Sequence, residues 1–489
     1  MELKIHNNLT RTREDFIPIK PGHVGFYSCG PTTYDFLHVG NARALVVGDI
    51  IHRVLKYLDY EVTFVRNFTD VDDKIIERAN ENKEDPLALA ARFVEECRKD
   101  MDSLGMLPAT HTPKVSETMD EIIKMIEDII NNGAGYVIDG EVFFNVKKAD
   151  KYGKLSKKDL DGLQAGQRVE VDKRKINSSD FVLWKPAKDG EPFWESPWGK
   201  GRPGWHIECS AMAKKFLGNT LDIHHGGVDL MFPHHENEIA QSEAATGQKF
   251  CNCWVHNEFL NFGSDKMSKS LGNVVTIRKF VEKFGGAVLR MILVSNHYRS
   301  RIDWTDEVIN RSISDVSRIH TFMMELDDKI ARGDDHHQED QTFIDRSDAE
   351  TQNRCDMYLG FFRDGLKHDF GTPIALSHMF EFLRECRHSF WDMNTDSVAS
   401  LQLIKSTMLK MNEALGIIFP DPKAVLEQIE RSKGKGEIDV DWVNGLIEER
   451  KTAKATKNWK RADEIRDELK AKNIVLVDNK DGTINWKMQ

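Results

Sequence analysis

Apolar positions along the first third of the chain follow two alternating rhythms. Phe26-Tyr27-Ser28-Cys29 is a short apolar run stopped by Gly30-Pro31, and behind it Ala42, Leu45, Val46, Ile50 and Val54 are spaced for one face of a helix. A second run, Val62-Thr63-Phe64-Val65, precedes another helical pattern. Strand, turn and helix in repetition predict a parallel α/β sheet. From about 131 to 199 the rhythm changes to short strands and charged turns, as in an insertion between two sheet halves. It returns with Leu221-Asp222-Ile223-His224 and Trp254-Val255-His256. Beyond about residue 304, helical spacing dominates (Ile319, Phe322, Met323, Leu326, then Leu359 to Leu366 and Leu376 to Phe390) and predicts an α-helical bundle. Arg332 to Asn353 reads as an exposed polar loop, and Ser432-Lys433-Gly434-Lys435-Gly436 as a linker to a small C-terminal module.

With 489 residues, 40% hydrophobic and 30% charged, the chain is long enough for two to four domains with real cores. No apolar run approaches membrane-spanning length and Met1-Glu2-Leu3-Lys4-Ile5 lacks a signal-peptide core, so a soluble intracellular protein is expected. Seven scattered cysteines make no disulfide framework and point to reduced thiols or metal ligands. The net charge of −11 argues against general nucleic-acid coating. Locally the balance inverts: residues 450–472 hold nine Lys/Arg against four Asp/Glu, with Trp459 among them. That segment is a candidate RNA contact, binding phosphates by charge and bases by stacking, in competition with an ordinary solvated helix.

Two constellations carry chemistry. His38-Val39-Gly40-Asn41 stands where the first turn meets its helix, and Lys266-Met267-Ser268-Lys269-Ser270 follows far downstream, between Gly263 and Gly272. The turn and helix N-terminus point N–H groups at a phosphate, and His38 and Asn41 add donors, unless they merely cap the helix. The ordered pair of motifs points to ATP binding and adenylate chemistry. The second constellation is the block from Gly226 to Glu238, in which Pro233 suits a first helical turn and the His234/Glu238 spacing puts both side chains on one helical face. With Cys209 at a helix start and Cys29 at a strand end, they make a chemically complete zinc set. His206, His224, His225, His235 and His256 compete with it, while Cys251 and Cys253 read as small buried hydrophobes.

These blocks, together with Asn67-Phe68-Thr69-Asp70-Val71-Asp72-Asp73-Lys74, Asp180-Phe181-Val182-Leu183-Trp184-Lys185, Arg202 to Ser210 and the C-terminal Ala462 to Asp467, run nearly end to end. The chain resembles the cysteinyl-tRNA synthetases, which are class I aminoacyl-tRNA synthetases. The resemblance implies a Rossmann-type parallel-sheet catalytic domain (1–130 and 200–262) split by a connective insertion (131–199). A signature loop and stem-contact region (263–310), a helical bundle (311–425), a linker (426–440) and an anticodon-binding module (441–489) would follow. It selects Cys29, Cys209, His234 and Glu238 as ligands of a single zinc ion. His38, Gly40, Asn41, Lys266 and Lys269 become the residues handling ATP, with magnesium, while Trp205 would close over the amino acid and Asp229 would hold its ammonium or the adenosine ribose. The implied partners are L-cysteine, ATP and cysteine tRNA, and the implied setting is a cytoplasmic monomer. Two features depart from the family pattern. Val39 and Asn41 stand in a signature that is commonly His-Ile-Gly-His, and Gly371 replaces the usual Asn in Asp369-Phe370-Gly371-Thr372-Pro373. The rival expectations are an ATP-dependent ligase joining cysteine to an amino sugar and a catalytically idle RNA-binding relative.

Overall fold

Four parallel strands carry the first half of the chain: β1 (His23–Ser28), β2 (Glu61–Arg66), β3 (Leu221–Gly227) and β4 (Cys251–Asn257), in the order β4-β3-β1-β2. The computed structural model describes residues 2–158, 172–262, 275–333, 341–389, 397–432, 440–456, 458–471, 474–478 and 484–488. Val24, Phe26, Phe64, Val65, Ile223 and Val255 are fully buried, which is why the strands read as apolar runs rather than as alternation. Phe26 is in register with Phe64 on one side and Ile223 on the other. The first half of the sheet therefore grows away from β1 in one direction and the second half in the other. Such a switch point opens a crevice at the carboxyl ends of β1 and β3.

Three helices line that crevice: α1 (Val39–Tyr57), α2 (Trp205–Leu217) and α3 (His234–Thr246). Between the sheet halves lies a separate antiparallel sheet of Gly135–Ile138, Glu141–Phe144, Phe181–Pro186 and Gly201–Pro203, closed over the buried Trp184. Lys185 and Arg202 of this sheet both reach the Asp73 carboxylate, at 2.9 and 2.5 Å. Past β4, the two-residue strands Leu260–Asn261 and Ile302–Asp303 pair in parallel, and α4 (Gly286–Val294) lies between them in sequence.

The bundle comprises α5 (Asp306–Arg332), α6 (Gln341–Lys367), α7 (Thr372–Ser389) and α8 (Val398–Leu415), packed on Phe322, Leu326, Phe362, Leu366, Phe382, Ile404 and Met408. The expected polar loop to Asn353 is instead helical from Gln341. Its polarity belongs to a helix that pairs its own charges, with Glu350 four residues before Arg354 at 2.7 Å, and Thr351 and Cys355 are buried ahead of Phe362 and Leu366. A charge cluster ties the bundle to α1. Asp49 accepts from Arg53 and Arg290 at 2.8 and 2.5 Å. Arg290 donates to the carbonyls of Leu104 and Leu415, and Arg53 to those of Gly105 and Glu413.

Residues 423–489 form a second unit. The helix Pro422–Ser432, with Ile429 buried, takes up the first part of the expected linker, because Pro422 opens a helix readily and Val425, Leu426 and Ile429 keep helical spacing. Residues 433–439 lie outside the described residues. The unit continues through α9 (Val440–Ala455) and α10 (Trp459–Ala471) to an antiparallel hairpin, Ile474–Asp478 with Ile484–Met488. Much of its basic charge is balanced: Arg461 pairs with Glu449 and Glu468 at 2.8 Å each, and Arg466 with Asp463 at 3.1 Å. Trp459 is 60% exposed. Among the described residues, no helix is long and apolar enough to cross a membrane.

Candidate active site and metal centre

Cys29 follows β1 directly, Cys209 sits on α2, and His234 and Glu238 are one turn apart on α3. Their ligand atoms all lie within 4.8 Å of one another. Cys29 Sγ is 4.0 Å from Cys209 Sγ and 3.8 Å from Glu238 Oε1, and His234 Nε2 is 3.0 Å from the same oxygen. Ligands bound at 2.0–2.3 Å in a tetrahedron stand about 3.3–3.8 Å apart, so this donor set fits a zinc ion in spacing as well as in chemistry. Cys29 donates to the Cys209 sulfur and holds that thiol below its usual range against the effect of burial. Burial alone would lower His234, but the Glu238 carboxylate and the Cys209 sulfur push it up to about 10. Glu238, opposed by burial and favoured by His224 and His234, falls to about 2.

A second set overlaps the first. Cys29, His224, His235 and Glu238 also converge within 4.8 Å, so geometry alone admits two positions sharing one thiol and one carboxylate. Each set has its own supporting bonds, and His235 Nε2 lies 3.3 Å from Cys29 Sγ. His224 Nε2 is 2.8 Å from Glu238 Oε2, which leaves Oε1 turned to His234 and Cys29. His235 Nδ1 is 2.8 Å from His256 Nε2, and burial among other imidazoles keeps His235 neutral. His206 Nδ1 faces His234 Nδ1 at 3.0 Å, and His225 Nδ1 faces Ser28 Oγ at 2.9 Å. Cys251 and Cys253 are buried in β4, burial pushing both thiols up, and neither joins a candidate metal set among the described residues.

His38 is the N-cap of α1. Its Nδ1 accepts from the Asn41 N–H at 3.2 Å, and Asn41 Oδ1 accepts from the His38 N–H at 3.1 Å, a reciprocal capping box. Capping and phosphate binding are therefore compatible: with Nδ1 accepting, the proton of a neutral ring sits on Nε2, which becomes a donor. Gly40 leaves room for this ring position, since a Cβ would stand 2.8 Å from the His38 ring. Lys266 and Lys269, with Gly263 and Gly272, lie outside the described residues. The chain just after them is placed, because Val39 N–H donates to the Val275 carbonyl at 3.0 Å and Ile277 N–H to the Leu37 carbonyl at 2.8 Å. The next residue, Arg278, lays its guanidinium 3.9 Å over Phe36.

Trp205 opens α2, 40% exposed, with its ring 4.4 Å from that of His234. Asp229 is exposed on the single turn Val228–Met231, its carboxylate filling the space a Cβ on Gly227 would need. Asn67, to which residue type alone assigns no role, accepts from the Gly30 N–H at 2.9 Å and approaches Cys209 Sγ at 3.9 Å. It fixes the turn that presents Cys29.

Residues 15–314 match the family described as tRNA synthetases class I (C) catalytic domain, and residues 361–419 match the DALR domain. The chain is 46% identical over 496 aligned residues to the cysteine–tRNA ligase of Geotalea uraniireducens (strain Rf4), covering 100% of both chains. This chain belongs to the cysteine–tRNA ligase family. It is likewise 45% identical to the cysteine–tRNA ligase of Halalkalibacterium halodurans, covering 100% of this chain and 99% of that one. Among solved structures, Mycobacterium tuberculosis methionyl-tRNA synthetase in complex with methionyl-adenylate shares the fold, with a TM-score of 0.58 at 15% identity over 83% of this chain and 91% of that one. Full-length identity to cysteine–tRNA ligases does not favour the amino-sugar ligase or the idle RNA binder.

Proposed function

We propose that the chain joins L-cysteine to its cognate tRNA in two ATP-dependent steps, with a zinc ion held by Cys29, Cys209, His234 and Glu238. The carrying observation is the convergence of those four side chains at the switch point of the sheet, in a chain matched along its whole length by cysteine–tRNA ligases. When bound, zinc supplies a Lewis-acid position that takes a thiolate readily and a hydroxyl poorly. Serine would leave that bond unmade, so discrimination would rest on a whole interaction rather than on a small difference in fit.

In the first step the substrate carboxylate attacks the α-phosphorus of ATP, and cysteinyl-adenylate and pyrophosphate result. The protein's task is alignment and neutralisation of charge. The Nε2–H of His38 and the side-chain amide of Asn41 donate to phosphate oxygens at the start of α1, where Gly40 allows close approach, and Lys266 and Lys269 add positive charge. Magnesium accompanies the ATP. The Trp205 ring, lying on His234, covers the sulfur end of the pocket, and Asp229 holds the substrate ammonium. In the second step the terminal ribose hydroxyl of the tRNA takes the cysteinyl group, with the bundle and the C-terminal unit binding the RNA. The cytoplasmic, monomeric setting rests on family membership.

The test is cysteine-dependent ATP–pyrophosphate exchange by zinc-loaded protein, with serine in parallel and charging of cysteine tRNA as the second readout. Exchange with cysteine alone, followed by charging, is the expected result. Exchange without charging would replace this reading with the small-molecule ligase, and absence of exchange would leave only RNA binding.

A further inference from the structure

Arg43 lies on α1, five residues beyond His38, with 1% of its surface exposed. Among the described residues its hydrogen bonds all run to backbone carbonyls. Nε donates to Glu258 at 3.4 Å, one terminal nitrogen to Leu293 at 3.4 Å, and the other to His297, Tyr298 and Ser300 at 3.0, 3.2 and 2.8 Å. The Glu258 carboxylate is engaged elsewhere, 3.3 Å from Arg301. A buried guanidinium with no carboxylate bonded to it is a costly way to fill space, when Ala42, Leu45 and Val46 beside it are apolar. The cost is offset by what a planar fork can do and an apolar side chain cannot, which is to gather carbonyls from two separate segments.

Those segments are informative. Glu258 and Ser300 each stand two residues before one strand of the ribbon Leu260–Asn261 with Ile302–Asp303. The first strand of that ribbon leads into residues 263–274, which hold Lys266 and Lys269 in sequence. The chain leaving that segment is bonded to the entry of α1 as well, through Val39 with Val275 and, just before the helix, Leu37 with Ile277. The start of α1, which carries His38, thus registers the path both before and after the second signature.

We infer that Arg43 is a positioning residue for adenylate formation: it fixes the lead-in to the Lys266/Lys269 segment against the His38 phosphate site without touching a reactant. The inference rests on the functional reading above and goes further, by separating the ATP half of the site from the metal half. Arg43 has no hydrogen bond to Cys29, Cys209, His234 or Glu238. Its removal therefore acts on ATP alignment and leaves the cysteine-binding end alone. A lysine offers three donors from a single point and keeps part of the set.

The experiment compares wild type, Arg43→Lys and Arg43→Met by steady-state ATP–pyrophosphate exchange, metal content and transfer from preformed cysteinyl-adenylate to tRNA. For Arg43→Met, kcat/KM for ATP is expected to fall about tenfold to a hundredfold. The KM for cysteine, the bound zinc and the transfer rate should stay at wild-type values, with Arg43→Lys intermediate. Equal losses in cysteine KM, zinc content and transfer would overturn the inference in favour of a general packing role, as would an unaltered kcat/KM for ATP. Wild-type protein without cysteine-dependent exchange would instead remove the functional reading, and this inference with it.

Discussion

The Nδ1 atoms of His206 and His234 stand 3.0 Å apart, while Nε2 of His234 stands 3.0 Å from Glu238. One face of the His234 ring system is thereby committed to a neighbouring imidazole and the other to the ligand cluster. Burial keeps His206 neutral, its pKa lowered to about 3. His206→Ala is therefore expected to weaken zinc binding by about tenfold to a hundredfold, the usual effect of removing such a supporting bond. Zinc affinity by competition with a chelator checks it, and unchanged affinity would show that α3 alone orients His234.

The two halves of the site should fail separately. Cys209→Ser should lower zinc content and cysteine activation together, because the hydroxyl replaces a thiolate donor. Lys269→Ala should impair activation with zinc retained. Equal metal content and activity in Cys209→Ser would remove Cys209 from the ligand set.

Gly40→Ala tests the capping box. The added methyl would meet the His38 ring at 2.8 Å, so the ring must turn and its bond from Asn41 is lost. Loss of a cap costs about 1 kcal/mol of stability. The larger expected effect is on ATP, with a raised KM for ATP and an unaltered KM for cysteine in the exchange assay. A wild-type KM for ATP would separate His38 from the phosphates.

Asp49 predicts an acid-sensitive contact between α1 and the bundle. Burial raises its carboxyl, but Arg290 and Arg53 outweigh burial and leave it below the usual carboxylate range. A carboxyl depressed on folding contributes stability that is complete above its unfolded pKa, near ~3.9, and is lost as pH falls through the lower folded value. Asp49→Asn should accordingly cost about 3–5 kcal/mol at neutral pH, since two buried guanidiniums lose their anion. It should also flatten the loss of stability below about pH 4. Urea midpoints measured at several pH values for both proteins decide this.

Much of this architecture is legible in the residues. The apolar runs ending at Cys29 and His256 announce a parallel sheet, and His234 and Glu238 four apart announce two side chains on one helical face, which the structure brings together with Cys29 and Cys209. Other features are not. That Gln341 to Asn353 is helical depends on charge pairing and on a few buried positions too sparse to show as periodicity. That two ligand sets overlap, sharing Cys29 and Glu238, is a matter of ångströms that residue spacing does not carry. The partners of Arg43 lie 215 to 257 residues away and are backbone atoms, which leave no trace in residue type.

For the C-terminal unit, Trp459→Ala should reduce charging of tRNA by about fivefold to a hundredfold if a base stacks on the exposed indole, with exchange unchanged. Identical charging by the variant would leave RNA contact there to charge alone.

Cys29 belongs to the first half of the sheet, whereas Cys209, His234 and Glu238 belong to the second, and 180 residues separate the two cysteines. During synthesis from the N-terminus, the ribosome releases the first ligand long before the others exist. The binding site is consequently created by the docking of the two halves and not by either alone. An ion held by all four side chains would therefore be a certificate of completed assembly: a chain truncated before Glu238, or stalled with its halves apart, lacks the full donor set.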